Sequence, residues 1–179
     1  MMKKHSKLMS FLALVVLVGS VVTVSAAPST PQGTMTKVRK ELVTLPYYGV
    51  FDNLEYKVEG DTVTLYGQVV KPTTRKDAER RVAKIEGVDH VINNIEVLPP
   101  SRFDDSIRAR TYRAVFRSGG LYRYAMGANP SIHIVVKNGR VALEGVVSNR
   151  MDSQLAYMAA TAVPGVFSVT NNLKVSSSS

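Results

Sequence analysis

The pattern of apolar and polar residues repeats once along the chain. When the sequence is shifted against itself by 78 residues, residues 54–97 align with residues 132–175 without a gap, and 12 of the 44 aligned positions are identical. Self-similarity at a fixed spacing indicates two copies of one structural unit. Most of the identical positions are valine, glycine or asparagine, the residue types that a shared core and shared turns require.

Each copy contains the pattern of a β-hairpin. In copy 1, apolar and polar residues alternate over residues 54–58 and again from residue 63 to residue 69, which predicts two half-buried strands. The residues between the strands are Gly-Asp in copy 1 and Asn-Gly in copy 2. Both pairs tolerate the positive φ of a tight hairpin turn, so a hairpin is predicted in each copy.

A helical pattern follows each hairpin. In copy 1, Thr74 and Asp77 have the spacing of a capping box, and Ala78, Val82 and Ile85 share one face. The glycine that follows suits the left-handed conformation beyond a helix end. A strand of about eight residues then closes the unit.

A further helical pattern precedes each hairpin, so the repeating unit is αββαβ. We predict an α+β protein with two tandem two-layer domains, each a small three-stranded sheet with two helices on one face. The predicted domains span residues 34–98 and 104–175, and the proline-containing segment 99–103 is a short linker. Residues 176–179 are predicted to be a disordered tail.

The first 26 residues have the order of a secretory signal peptide. Three lysines precede an apolar run over residues 11–24, and small residues follow it. We predict cleavage after Ala26, and hence a periplasmic or secreted protein. The alternative is an uncleaved anchor helix, for which the run is short. The chain has no cysteine, which excludes disulfides, thiolate metal sites and lipid attachment through cysteine.

The chain is basic, with a formal net charge of +9. Cleavage after Ala26 removes three lysines and no acidic residue, which leaves a net charge of +6. Nucleic acid is a frequent partner of basic proteins, but export argues against it. An anionic membrane surface or an acidic envelope polymer is therefore the expected partner.

The repeated motifs resemble those of the BON family, named for osmotically inducible and nodulation-associated bacterial proteins. The second strand of each copy reads V-x-L-x-G-x-V, at residues 63–69 and 141–147, and each copy ends with G-V-x-x-V-x-N, at residues 87–93 and 165–171. The resemblance implies an αββαβ fold, an exported location and no catalytic activity. It also implies contact with phospholipid membranes under osmotic or envelope stress.

The motif residues themselves do not locate a binding site. Gly67 and Gly145 lie within strands, where a missing side chain suggests a bulge or a closely approaching helix. The asparagine pairs of the closing motifs are expected to bond nearby backbone rather than a ligand.

No catalytic constellation is found in the sequence. His133 lies between two isoleucines and is predicted to be a solvent-facing strand residue rather than a base. Asp104 and Asp105 precede a helix and are interpreted as N-terminal capping residues rather than metal ligands. No glycine-rich phosphate loop follows a strand. We therefore expect no enzyme activity, cofactor, metal or small-molecule substrate.

The second helix differs in character between the copies. In copy 2, Tyr157, Met158 and Ala162 replace a glutamate, an arginine and a lysine of copy 1. The helix is apolar almost all round, as expected of a helix buried on two sides. Packing against copy 1, a partner subunit or another protein is the preferred explanation over membrane contact.

The first helix of copy 2 carries a lateral arginine stripe. At 100° per residue, its core face is accounted for by Ile107, Thr111 and Val115, which leaves arginine and aromatic residues off the core. Arginine beside aromatic rings suits the headgroup region of an anionic bilayer. The alternative is a solvated face with the aromatics packed under the following loop. The candidate lipid-contact residues are Arg110, Tyr112, Arg113, Phe116, Arg117, Tyr122, Arg123 and Tyr124.

Two functional hypotheses follow from these patterns. The leading one is an exported, non-enzymatic envelope protein whose second domain binds anionic phospholipid and which supports envelope integrity or osmotic stress tolerance. The alternative is a periplasmic adaptor or chaperone-like protein that binds another protein through Tyr157, Met158 and Ala162.

Overall fold

The computed structural model describes residues 31–127 and 129–176. The predicted signal peptide and all but the first residue of the predicted tail lie outside the described residues.

The chain folds as two successive copies of the same element order, which confirms the predicted tandem α+β architecture. Domain 1 contains α1 (Pro31–Val43), β1 (Asn53–Glu59), β2 (Thr62–Val69), α2 (Pro72–Val82), β3 (His90–Asn93) and β4 (Glu96–Val97). Domain 2 contains α3 (Arg102–Arg117), a 3-10 helix (Leu121–Ala125), β5 (Ile132–Lys137), β6 (Arg140–Val147), α4 (Arg150–Thr161), β7 (Ser168–Asn171) and β8 (Lys174–Val175).

Both sheets are mixed and have the same pairing. In domain 1, β2 pairs antiparallel with β1, and β3 and β4 pair with β2 one after the other, parallel to it. The two short segments therefore form a single third strand with one interruption. Strands β5 to β8 repeat this arrangement in domain 2. Each domain is the predicted hairpin plus a third strand, which joins the sheet beside the central strand.

The glycine of each second strand allows close approach of a neighbouring strand. Gly67 and Gly145 have φ of +104° and +114°, and an added Cβ would lie 2.1 Å from the carbonyl oxygen of Asn53 or Ser131. The close approach was predicted, but the neighbour is the first strand of the hairpin, not a helix. Only glycine combines this backbone conformation with this space.

Two helix starts differ from their prediction. Helix α2 begins at Pro72, whose fixed φ suits the first helical position, so Thr74 lies inside the helix and provides no cap. The predicted Thr74–Asp77 capping box is wrong. Helix α3 is capped by the Ser101 hydroxyl, whereas the Asp104 carboxylate accepts hydrogen bonds from the amides of residues 138 and 139. Asp104 thus holds the β5–β6 turn against α3.

The domains meet where residues 48–51 of domain 1 lie on β5, a contact that we call the domain seam. The Val50 carbonyl accepts from the Ile134 amide at 2.7 Å. The His133 ring stacks on Tyr48 with centroids 5.2 Å apart, and its Nδ1 lies 3.2 Å from the Gly49 carbonyl oxygen. His133 is only 7% exposed, so its predicted solvent exposure is wrong. The reason is that domain 1 covers the outer face of β5.

Candidate membrane-contact surface of domain 2

Three arginines of α3 lie along one flank of the helix, as predicted. They are spaced three and four residues apart, so they stack over two turns. Arg113 and Arg117 are exposed and Arg110 is half-buried, with a buried Nε that has no hydrogen-bond partner. Among the residues that the structure describes, none forms an ion pair with these three arginines. The stripe is thus positive charge without intramolecular compensation.

Tyr112 and Phe116 of α3 do not join the arginine stripe. Tyr112 and Phe116 lie on another flank, where their rings contact each other and Tyr112 meets Phe51 of domain 1 with centroids 6.2 Å apart. Phe116 is buried, which corrects the prediction that it lies off the core. Domain 1 packs over this flank and makes it part of the region between the domains.

The 3-10 helix uses two of its predicted lipid-contact residues for structure. The Tyr124 hydroxyl donates to Asp152 at 2.5 Å and accepts from the Ser148 amide at 2.8 Å, and the Arg123 guanidinium pairs with the same carboxylate. The Tyr124 hydrogen bond is the main cause that holds the pKa of Asp152 below its ordinary value. Tyr124 is buried, contrary to prediction, whereas Tyr122 remains exposed.

One face of α4 packs on the core through Ala156 and Ala160, and apolar side chains on its other face are exposed to solvent. Tyr157, Met158 and Ala162 are exposed, and Met151 at the start of the helix is 78% exposed. Of the three explanations for this apolar helix, packing against copy 1 is not observed among the described residues, because domain 1 docks on β5. Packing against a partner subunit or another protein stays a prediction. The surface required by a protein-binding function is therefore accessible.

Sequence reasoning missed a pair of phenylalanines at one end of domain 2. Phe103 lies on the first turn of α3 and Phe167 directly precedes β7. Their ring centroids are 6.0 Å apart, and both rings are exposed. We call Phe103 and Phe167 the aromatic tip. The alignment of the copies contained a signal for it, because Phe167 stands where copy 1 has an aspartate.

Residues 31–127 and 129–176 contain no group of three histidine, aspartate or glutamate side chains arranged to hold a metal ion. No helix within those ranges has the length and apolarity needed to cross a bilayer.

The comparison with known families matches the two structural units. The BON domain model matches residues 34–99 and 104–177, and the chain therefore belongs to the BON domain family, with two copies of the domain. This confirms the family resemblance drawn from the repeated motifs. No curated protein matches the chain.

Among solved structures, two with limited likeness describe CdsD of Chlamydia trachomatis, a structural protein of the type III secretion system. The C-terminal domain of CdsD is 10% identical to this chain, with a TM-score of 0.33 over 80% of this chain and 97% of that one. A second CdsD structure is 10% identical, with a TM-score of 0.31 over 79% and 92%.

Proposed function

We propose that this chain is an exported, non-catalytic envelope protein that binds anionic phospholipid surfaces through domain 2 and supports envelope integrity under osmotic stress. The observation that carries the proposal is the uncompensated arginine stripe of Arg110, Arg113 and Arg117 on α3. Membership of the BON family and the N-terminal signal-peptide pattern support the envelope location.

The stripe has the charge for weak, reversible attachment. A basic side chain near an anionic bilayer contributes about 1 kcal/mol, so three arginines give binding that depends on lipid charge and on salt. Guanidinium groups also form paired hydrogen bonds with phosphate oxygens. We therefore expect binding to vesicles that contain phosphatidylglycerol and little binding to vesicles of phosphatidylcholine alone.

The test is flotation of residues 27–179 with these two kinds of vesicle. Arg113→Glu with Arg117→Glu reverses two charges on the stripe and is expected to reduce bound protein about tenfold or more, since each reversal replaces attraction by repulsion. The matched control is Lys76→Glu with Arg80→Glu on α2, which has the same spacing and the same change in charge. Both control side chains are exposed.

The control should keep most of the binding if the stripe is the contact. Equal loss in both variants would mean that net charge alone governs attachment. If the wild-type chain fails to float with phosphatidylglycerol vesicles even at low salt, the proposal is wrong.

The exposed apolar face of α4 favours a second candidate function, an adaptor that binds an envelope protein through Tyr157, Met158 and Ala162. A photo-crosslinking amino acid at Met158 should then trap a partner in intact cells. The matched control places the same group at Arg80, the aligned position of domain 1. Crosslinks that are absent from both positions, or identical at both, would contradict this candidate.

A further inference from the structure

The aromatic tip is an apolar feature that the arginine stripe does not explain. Phe103 and Phe167 are 46% and 73% exposed although their rings lie together, tilted by 36°. A single exposed apolar side chain is ordinary, but a contiguous aromatic surface rimmed by polar residues is typical of an interaction site.

Two glycines form the floor under these rings. A Cβ added at Gly139 would lie 2.6 Å from the Phe167 ring and 3.2 Å from the Phe103 ring. A Cβ added at Gly165 would lie 3.6 Å from the Phe103 ring. The Phe167 amide also donates to the Gly139 carbonyl at 2.9 Å, so the backbone fixes one ring over the hairpin turn. The tip is therefore a defined part of the fold.

Domain 1 has the same backbone frame with opposite chemistry. The Asp89 amide donates to the Asp61 carbonyl at 2.9 Å, the counterpart of the bond between residues 167 and 139. Both aspartates are exposed. Two acidic side chains thus occupy the positions that domain 2 fills with an aromatic ring and a glycine. This end repels an anionic surface in domain 1 and presents apolar area in domain 2.

The charges beside the aromatic tip are cationic. Arg102 and Arg140 are exposed neighbours in sequence of Phe103 and Gly139, and the guanidinium of Arg110 lies 3.4 Å from the position of a Cβ on Gly165. The acidic residues of the first turn of α3 have partners already. Asp104 accepts from the turn amides and Asp105 pairs with Arg108 at 2.5 Å.

We propose that the aromatic tip enters the interfacial region of an anionic phospholipid bilayer while Arg102, Arg110 and Arg140 contact the surrounding lipid phosphates. The inference rests on the proposed function and adds to it a point of insertion. Aromatic rings are favoured at the boundary between headgroups and acyl chains, and adjacent arginines meet the phosphates above them. Arg110 belongs to both surfaces, so insertion of the tip brings the stripe against the same bilayer.

Tryptophan fluorescence provides a clean test because the chain contains no tryptophan. In Phe167→Trp, the emission should shift to shorter wavelength on addition of phosphatidylglycerol vesicles and should be quenched by lipids brominated on their acyl chains. The control reporter is Tyr66→Trp, which lies exposed on the sheet of domain 1. Its emission should not change.

A second variant tests whether the rings contribute to binding. Phe103→Ala with Phe167→Ala removes two exposed rings without opening a core cavity, so circular dichroism should be unchanged. Partitioning into phosphatidylglycerol vesicles is expected to weaken about tenfold or more, given the apolar area that two phenyl rings remove from water. Flotation of the same variant measures this directly.

The outcomes separate the tip from the stripe. Wild-type flotation with unshifted emission from Phe167→Trp and full binding by the double alanine variant would overturn the tip and leave the stripe intact. Absence of wild-type flotation would overturn both. A blue shift that grows with protein concentration without vesicles would overturn bilayer insertion, because a second copy of the chain would then cover the rings.

Discussion

The outer faces of the two sheets differ more than their cores. In domain 2, His133 and Val135 on the outer face of β5 are 7% and 6% exposed, because domain 1 packs over them. The aligned residues of β1 in domain 1 are Glu55 and Lys57, and both are exposed. Repetition of a fold therefore does not repeat its contacts, since the pairing of domains is decided by residues outside the shared core.

The docking segment is also specific to one copy. Residues 48–51 of domain 1 read Tyr-Gly-Val-Phe, and two aromatic rings of this segment contact domain 2. At the offset of 78 residues, domain 2 has Met-Gly-Ala-Asn. The aromatic docking segment occurs only in domain 1 and the covered outer face of β5 only in domain 2, so the contact between the domains is directional.

The largest expected effect on domain docking comes from replacing outer-face residues of β5 by the aligned residues of β1. His133→Glu with Val135→Lys places two charges under the docking segment, where burial of unpaired charge opposes contact. We expect the docking free energy to fall by about 3 kcal/mol or more, which separates the domains. The segment 48–51 should then be cut by chymotrypsin, and small-angle scattering should show a larger radius of gyration.

The reciprocal change is the control for this experiment. Glu55→His with Lys57→Val alters exposed side chains of β1 that do not lie under the docking segment, so the domain seam and the scattering profile should be unchanged. Domain 2 of the first variant should still unfold cooperatively, because β1 carries the same charges in domain 1. Full protection of residues 48–51 in the first variant would show that the seam is held elsewhere.

The sequence was sufficient to predict the shared features of the copies. Positions identical in both, such as Val63 and Val141, are buried core residues, and the hairpins, helices and third strands occur where the repeat predicted them. The pairing of the third strand was not predictable, since a short apolar strand fits either edge of a hairpin. Its place beside the central strand became visible only in the structure.

The seam and the aromatic tip escaped sequence reasoning for physical reasons. Residues 132–136 alternate between apolar and polar as a half-buried strand does, except that Val135 is apolar where a polar residue is expected. A strand with apolar residues on both faces is usually covered by protein on both faces, so Val135 was the signal for the seam. Tyr112 and Phe116 group with the arginines by closeness in sequence, although the helix turns them toward domain 1. Phe103 and Phe167 are 64 residues apart and meet only through tertiary structure.

Acidification is expected to have a smaller effect, on the free energy of unfolding of domain 2. This domain contributes a buried histidine to the domain seam, whereas domain 1 has a glutamate at the aligned position. Burial lowers the pKa of His133 below its ordinary value. The folded state therefore binds fewer protons than the unfolded state just below pH 6.5. Stability should be full above about pH 6.5 and should fall on acidification until the buried ring is itself protonated.

Urea unfolding of the wild type and His133→Phe between about pH 5 and pH 7.5 measures this effect. The phenyl ring keeps the stacking on Tyr48 and removes the titrating group. Burial raises the pKa of the nearby Asp52, which contributes with the opposite sign, and Glu144 faces His133 across the strands. Both acids remain in the variant, so the difference between the two proteins reports the histidine together with its interaction with Asp52. Identical slopes would contradict the prediction.

The smallest effect is expected at the edge of the seam, where Lys137 Nζ lies 2.5 Å from Glu96 Oε1. These side chains are 48% and 41% exposed, and exposed ion pairs contribute about 0.5 kcal/mol or less. A double-mutant cycle with Lys137→Ala and Glu96→Ala should give a coupling energy of this size that decreases with salt. A coupling energy above about 1.5 kcal/mol would mean that the exposed ion pair between Lys137 and Glu96, and not the buried contact, holds the domains together. If this coupling energy is small and the substitutions at His133 and Val135 have a large effect on docking, the contact between the domains depends mainly on the buried outer face of β5.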